Sequence, residues 1–232
     1  MAAKNSFPGF DIDVLHFLHD LSQNNNRDWF EKNKQRYETA VREPALHFIE
    51  SMVGPLKKVS PHFRAVAKKT GGSLMRVYRD TRFSNDKTPY KTNVGIHFRH
   101  EVGKDVHAPG FYFHIEPESV FLGAGIWHPD SETLSLIRDA IVEEPTKWKR
   151  GRDAKSFRDS FHLTGDSLKR PPRGYDAEHK YIDDIKRKDF IGVRELEIDS
   201  LFDASITKLV ADTFKASKPF VRFLCEAIDV GF

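Results

Sequence analysis

Cysteine is almost absent: Cys225 is the only one in 232 residues. That excludes an intrachain disulfide and a cysteine-based metal site, and it points to a reducing compartment. Cys225 sits among Phe223, Leu224 and Ala227, so it reads as a small apolar core residue rather than a nucleophile. Long apolar runs are missing too. No stretch approaches the roughly eighteen consecutive apolar residues of a membrane helix, and Met1 to Phe10 lacks an apolar core of signal-peptide length. Neither membrane spanning nor secretion is expected, and a cytoplasmic location is. The formal charge is a modest +3, too small to demand a nucleic-acid partner. Familiar signatures are lacking: no Walker loop, no Gly-x-Gly-x-x-Gly after a strand, no Gly-x-Ser-x-Gly elbow, no helical His-Glu-x-x-His and no Asp-rich metal loop. Gly123-Ala-Gly125 is too short for a phosphate loop. No cofactor and no metal ligand set follow from the sequence.

What is present describes a globule. Charged residues make up 31%, hydrophobic residues 39%, and 19 are Phe; this is too apolar for disorder and too polar for a membrane protein. The length supports a core without metal or disulfide help. One domain is expected over residues 1–232, with an N-terminal helical part at 11–58, a sheet part at 73–127 and a mainly helical part at 130–230.

Val14, Leu15, Phe17, Leu18 and Leu21 recur at helical spacing after a cap at Asp11 or Asp13, and Asn24-Asn25-Asn26 breaks the pattern. A second helix is predicted from Arg27 to Val41. A third starts near Pro44 and is interrupted or ended by Gly54-Pro55. Strands are predicted at Ser73 to Arg79, Asn93 to His100, Gly110 to Glu116 and Ser119 to Trp127, with a short one near Asp189 to Val193. Helix returns after Pro129, a turn follows at Pro145 to Lys149, Leu168 to Tyr175 reads as a loop, and helices at Ser205 to Lys215 and Pro219 to Ile228 close the chain. Short connections favour antiparallel hairpins. The fold class is therefore α+β, an antiparallel sheet of about four to five strands with N- and C-terminal helices packed on one face.

Strand alternation sorts residues into two faces. Val94, Ile96, Phe98, Phe111, Phe113, Ile115, Val120, Leu122, Ala124 and Ile126 make an apolar face, joined by Met75 and Val77. Arg76, Tyr78, His97, Arg99, Tyr112, His114 and Glu116 take the other, with Phe121, Gly123, Gly125 and Trp127. The two glycines open a trough beside Tyr112 and His114, or else Tyr112 packs over Gly123.

Charge concentrates in one place. From Ser73 to His100, Arg76, Arg79, Arg82, Lys87, Lys91 and Arg99 stand against Asp80 and Asp86, a net +4 that exceeds the charge of the whole chain. Cations so close suit phosphate or carboxylate oxygens, and arginine forks bind these in pairs. Asp80 and Asp86 orient the cations while Phe83, Pro89 and Tyr90 anchor the loop; the alternative is an ion-pair clasp. His114 and Glu116, two apart on one strand, are the acid–base candidates, with His97 and His128 within possible reach. Lys169 to Arg173 is a further basic patch, read as solvated loop.

The segment Arg76, Arg79, Asp80, Arg82, Phe83, Asp86, Lys87, Tyr90 and Lys91 resembles the motif of a bacterial and fungal family known as domain of unknown function 2461. The resemblance extends over Asn26 to Phe30, Gly110 to His114, Trp127 to Pro129 and Lys169 to Pro172. It implies that the basic loop is the family's defining element and supplies no activity or cofactor.

Three readings follow. In the first, a small phosphorylated or carboxylated ligand binds on the polar sheet face. Arg76, Arg79, Arg82, Lys87, Lys91 and Arg99 hold the anion, His114 and Glu116 act as acid and base, and Asp80, Asp86, Tyr90, His97, Tyr112, Gly123, Gly125, Trp127 and His128 line or orient the pocket. In the second, the same charge binds nucleic acid with Tyr78, Tyr90 or Tyr112 stacking on bases. In the third, the chain is a non-catalytic module for a protein partner.

Overall fold

The computed structural model describes residues 6–103 and 108–232. Helix α1 (Asp13–Gln23) begins where the Asp11 carboxylate accepts the Asp13 N–H at 2.8 Å, so Asp11 does the capping. Asp13 lies inside the helix and pairs with Arg36 at 2.5 Å. Asn26 caps α2 (Arg27–Lys32), its side chain accepting from the Trp29 N–H at 2.9 Å.

After α3 (Lys34–Tyr37) the chain widens into a π turn, Glu38–Arg42, and continues without a gap into α4 (Glu43–Ser51). The expected break at Pro44 therefore does not occur. Proline has no N–H to return to Ala40, and in a regular α-helix its ring would strike that carbonyl. The wider turn, in which the Glu43 N–H bonds back to Glu38 O, opens the needed room. The interruption comes later, at Met52, and α5 (Val53–Val59) carries Gly54 and Pro55 in its first turn.

Six antiparallel strands form one sheet in the order β1-β2-β3-β4-β6-β5. They are β1 (Phe63–Arg64), β2 (Val94–His100), β3 (Gly110–Glu116), β4 (Ser119–Ile126), β5 (His162–Thr164) and β6 (Phe190–Glu195). The strand count exceeds expectation because β1 and β5 are too short to show a pattern. The segment Ser73 to Arg79 is not a strand. It touches the sheet through one isolated bridge, Leu74 to Ile96, and further on pairs with its own returning arm, Tyr78 to Tyr90.

Between β4 and β5 lie α6 (Ser131–Glu143), α7 (Pro145–Arg152) and α8 (Lys155–Arg158); α9 (Ile182–Ile185) precedes β6. A 3-10 turn at Ile198–Phe202 leads to α10 (Ile206–Ala216) and α11 (Lys218–Ala227).

The helices cover one sheet face. Phe113 and Phe111 are fully buried, Phe113 against Phe48 at 5.2 Å and Phe111 against Phe214 at 4.8 Å between ring centres. N- and C-terminal helices thus meet the same strand from the same side, and each such ring contributes about 2–3 kcal/mol of apolar burial. Among the described residues no helix packs on the other sheet face, and the polar candidates lie there.

Candidate functional site

The basic segment is a closed lobe pinned at its neck. Its outgoing and returning arms bond as Arg79 N–H to Pro89 O (2.9 Å) and Lys91 N–H to Val77 O (2.7 Å). Asn25 fastens the return arm by a reciprocal pair, Nδ2 to Tyr90 O at 2.9 Å and Tyr90 N–H to Oδ1 at 3.0 Å. Tyr90 stacks on Phe30 at 4.0 Å, so it anchors the lobe from the core side.

Within the lobe most charge is answered. Arg82 grips Asp80 with two bonds, 3.0 and 2.7 Å; Arg79 bonds to Asp86 and Thr88; Lys87 donates to Thr81 O at 2.9 Å. These arginine contacts hold both Asp80 and Asp86 down at about 2. Arg76 and Lys91 differ. Neither side chain has an ion pair or hydrogen bond among the described residues, and partial burial together with the Arg76 charge holds Lys91 below its ordinary range.

On the open face, β3 carries a hydrogen-bonded chain. Tyr112 Oη lies 3.1 Å from His114 Nδ1, and His114 Nε2 lies 3.4 Å from Glu116 Oε2. An ionised Glu116 accepts only, so Nε2 carries the proton, Nδ1 is bare, and the Tyr112 hydroxyl donates to it. Phe121 stacks on the His114 ring at 4.5 Å and 13°. Burial pushes Tyr112 up to about 12 and holds His114 below its usual range, against the opposing pull of Glu116. His97 is driven down to about 4 by burial and the nearby Arg99, and its Nδ1 accepts from Arg99 Nε at 3.4 Å.

The two constellations meet. Thr92 donates to Glu116 Oε1 and the Asn93 amide reaches His114 Nδ1, each at 3.4 Å; both residues directly follow Lys91. On the other arm Met75, expected in the core, lies on the open face. Its backbone pairs with Gly95, and a side chain at Gly95 would meet Met75 Sδ at 3.0 Å and Tyr112 Oη at 2.7 Å. Leu74 takes the core position in its place, at 9% exposure.

Of the two readings of the glycines, the open trough does not form and the packing of Tyr112 over Gly123 does. Gly123 is buried, with Tyr112 Cβ and Ile191 Cδ1 both 3.5 Å from where its side chain would begin. Gly125 has φ +131, and its missing side chain makes room for Phe190 O, only 2.0 Å from the Cβ position. Its glycine serves the β4–β6 contact rather than a ligand.

Arg99, Trp127 and His128 gather at the opposite end of the sheet face from Lys91. Trp127 is 64% exposed. His128, at φ 49, places Nδ1 3.1 Å from the buried Asp189. These side chains do not join His114 and Glu116. Among the described residues no three His, Cys, Asp or Glu side chains are grouped to hold a metal ion, and no helix is long and apolar enough to cross a membrane.

A family model described as a conserved hypothetical protein, DUF2461, matches residues 13–223. The chain belongs to that family. No curated protein and no solved structure matches it. The matched span of this DUF2461 chain contains the basic lobe and the whole β3 chain of hydrogen bonds. Sequence reasoning missed Thr92, Asn93, Met75 and Gly95 as parts of the site. Asn93 was legible in principle, since it precedes Gly95, His97 and Arg99 at the same alternation. Met75 was not, because the bends on either side of Leu74 break the period.

Proposed function

We propose that this DUF2461 chain binds a small phosphorylated or carboxylated ligand at the neck of the basic lobe, where it joins the open sheet face. The observation that carries this is the pair Arg76 and Lys91: near one another and, among the described residues, without an ion pair of their own, while the neighbouring arginines are paired and Asp80, which also feels the Arg76 charge, is gripped by Arg82. Two like charges brought together raise each other's free energy, and an anion between them relieves both. Arg79, Arg82 and Lys87 then shape the lobe, and Thr92 and Asn93 connect the anion to the His114–Glu116 pair.

Nucleic-acid binding would need a basic track from Lys91 through Arg99 to Lys169–Arg173. The latter loop is tied beside the start of β6, through Leu168 N–H to Lys186 O. β2 and β6 run in opposite senses three strand steps apart, so the two basic segments sit diagonally, roughly 25 Å from each other. Arg99 is the named cation between them, and a track that thin, beside the convergence of Arg76 and Lys91 at one point, favours the small-ligand reading.

Calorimetric titration with inorganic phosphate and with citrate tests it. Saturable binding is expected in the wild type, lost in Arg76→Ala and Lys91→Ala, and kept in Arg82→Ala, whose side chain is 76% exposed and held by Asp80. No saturable binding of either anion, or equal loss in all three variants, would remove this reading.

A further inference from the structure

We propose that Tyr112, His114 and Glu116 form a hydroxyl–imidazole–carboxylate relay in which the Tyr112 oxygen, rather than His114, is the atom that exchanges a proton with the ligand. The substrate class is an anion that also bears an acidic O–H or C–H hydrogen; that part rests on the anion site at Arg76 and Lys91.

Both nitrogens of His114 are engaged, one by Tyr112 and one by Glu116, and its side chain is only 14% exposed. It is an interior link. The three residues stand at alternate positions of β3 and so share a face. Several neighbours fix them: Phe121 against the imidazole plane, Thr92 on the outer carboxylate, Asn93 beside Nδ1. Gly95 makes the relay possible, because a side chain there would occupy the space of the Tyr112 hydroxyl. Met75 Sδ borders that same space, so the residue before Arg76 adjoins the Tyr112 oxygen.

The proton path balances. The ligand proton passes to the Tyr112 oxygen, the tyrosine's own proton passes to His114 Nδ1, and the resulting imidazolium is stabilised by the Glu116 carboxylate beside Nε2. The logic is that of a hydroxyl activated by an oriented imidazole.

N-Acetylimidazole tests the relay without using the anion site. The Tyr112 oxygen bonds to the acetyl carbon and the bond to the imidazole nitrogen breaks; the tyrosine proton goes to His114 and from there to solvent, and the departing imidazolide takes one proton back from solvent, so none is gained or lost. Although Tyr78 is 47% exposed and Tyr112 is half-buried, Tyr112 is expected to acetylate at least about tenfold faster near neutral pH. His114→Gln is expected to abolish that advantage and Glu116→Gln to reduce it, with peptide mass spectrometry locating the label. Tyr112 labelling no faster than Tyr78, or unchanged in His114→Gln, overturns the relay; if that variant does not fold, the wild-type comparison decides. Inorganic phosphate is expected to protect Tyr112 in the wild type and not in Arg76→Ala. Fast labelling without phosphate protection overturns the substrate class.

Discussion

At the scale of single residues, two glycines on the same sheet face do different work. At Gly125 a side chain would enter a left-handed backbone and meet Phe190 O, which is backbone and cannot yield. Gly125→Ala is therefore expected to cost about 3 kcal/mol, read as a lowered urea midpoint. At Gly95 the groups in the way are the ends of Tyr112 and Met75, which swing aside. Gly95→Ala is expected to keep nearly wild-type stability and to slow Tyr112 acetylation severalfold; equal destabilisation by both changes would contradict this contrast. The contrast was not legible in the sequence, where Gly125 shared a face with Gly123 and the pair read as a trough or as a seat for Tyr112. Backbone angle and the neighbouring strand decided it, and alternation reports neither. Cys225 was legible: its flanking apolar residues reflect full burial, which pushes the thiol up to about 12.

At the scale of elements, period-two alternation located β2, β3 and β4 because each buries one face against helices and leaves the other partly open. It failed from Ser73 to Arg79. There Ser73, Leu74 and Val77 are the buried residues, two neighbours and then a gap of three, and no sheet period describes it. β1 and β5 have two and three residues, too few for any pattern. The basic segment was legible as a concentration of charge, and its internal pairing was half foreseen in Asp80 and Asp86. The tie that holds it was not, because Asn25 lies 65 residues away from Tyr90. Asn25→Ala removes both bonds of that tie and leaves Tyr90 N–H and C=O without their partner. A loss of about 2 kcal/mol is expected, with faster amide exchange concentrated between residues 77 and 91. Exchange that rises evenly over the chain would show that Asn25 supports the whole fold rather than the lobe.

For the whole molecule, covering one sheet face with helices leaves histidines half-buried on the other, and that makes stability depend on pH. His97 takes its proton near 4 when folded and near 6.5 when unfolded. Between those values the unfolded chain holds a proton that the folded one refuses, so stability falls as pH drops from 6.5 to 4 and this contribution is flat outside that window. Arg99, the adjacent cation, deepens the refusal. The full shift corresponds to about 3 kcal/mol, and partial solvent access at His97 brings it nearer 2. His114 acts in the same direction. Asp80 and Asp86 titrate lower: their contribution is present above about 3.8 and is lost as pH falls toward 2, outside the histidine window. Urea denaturation at pH 7 and pH 5 separates the terms. The wild type is expected to lose stability between these values, and His97→Gln to lose markedly less, since glutamine cannot take up the proton. An unchanged pH dependence in His97→Gln would assign the effect to other groups and show that His97 is freely protonated on the open face.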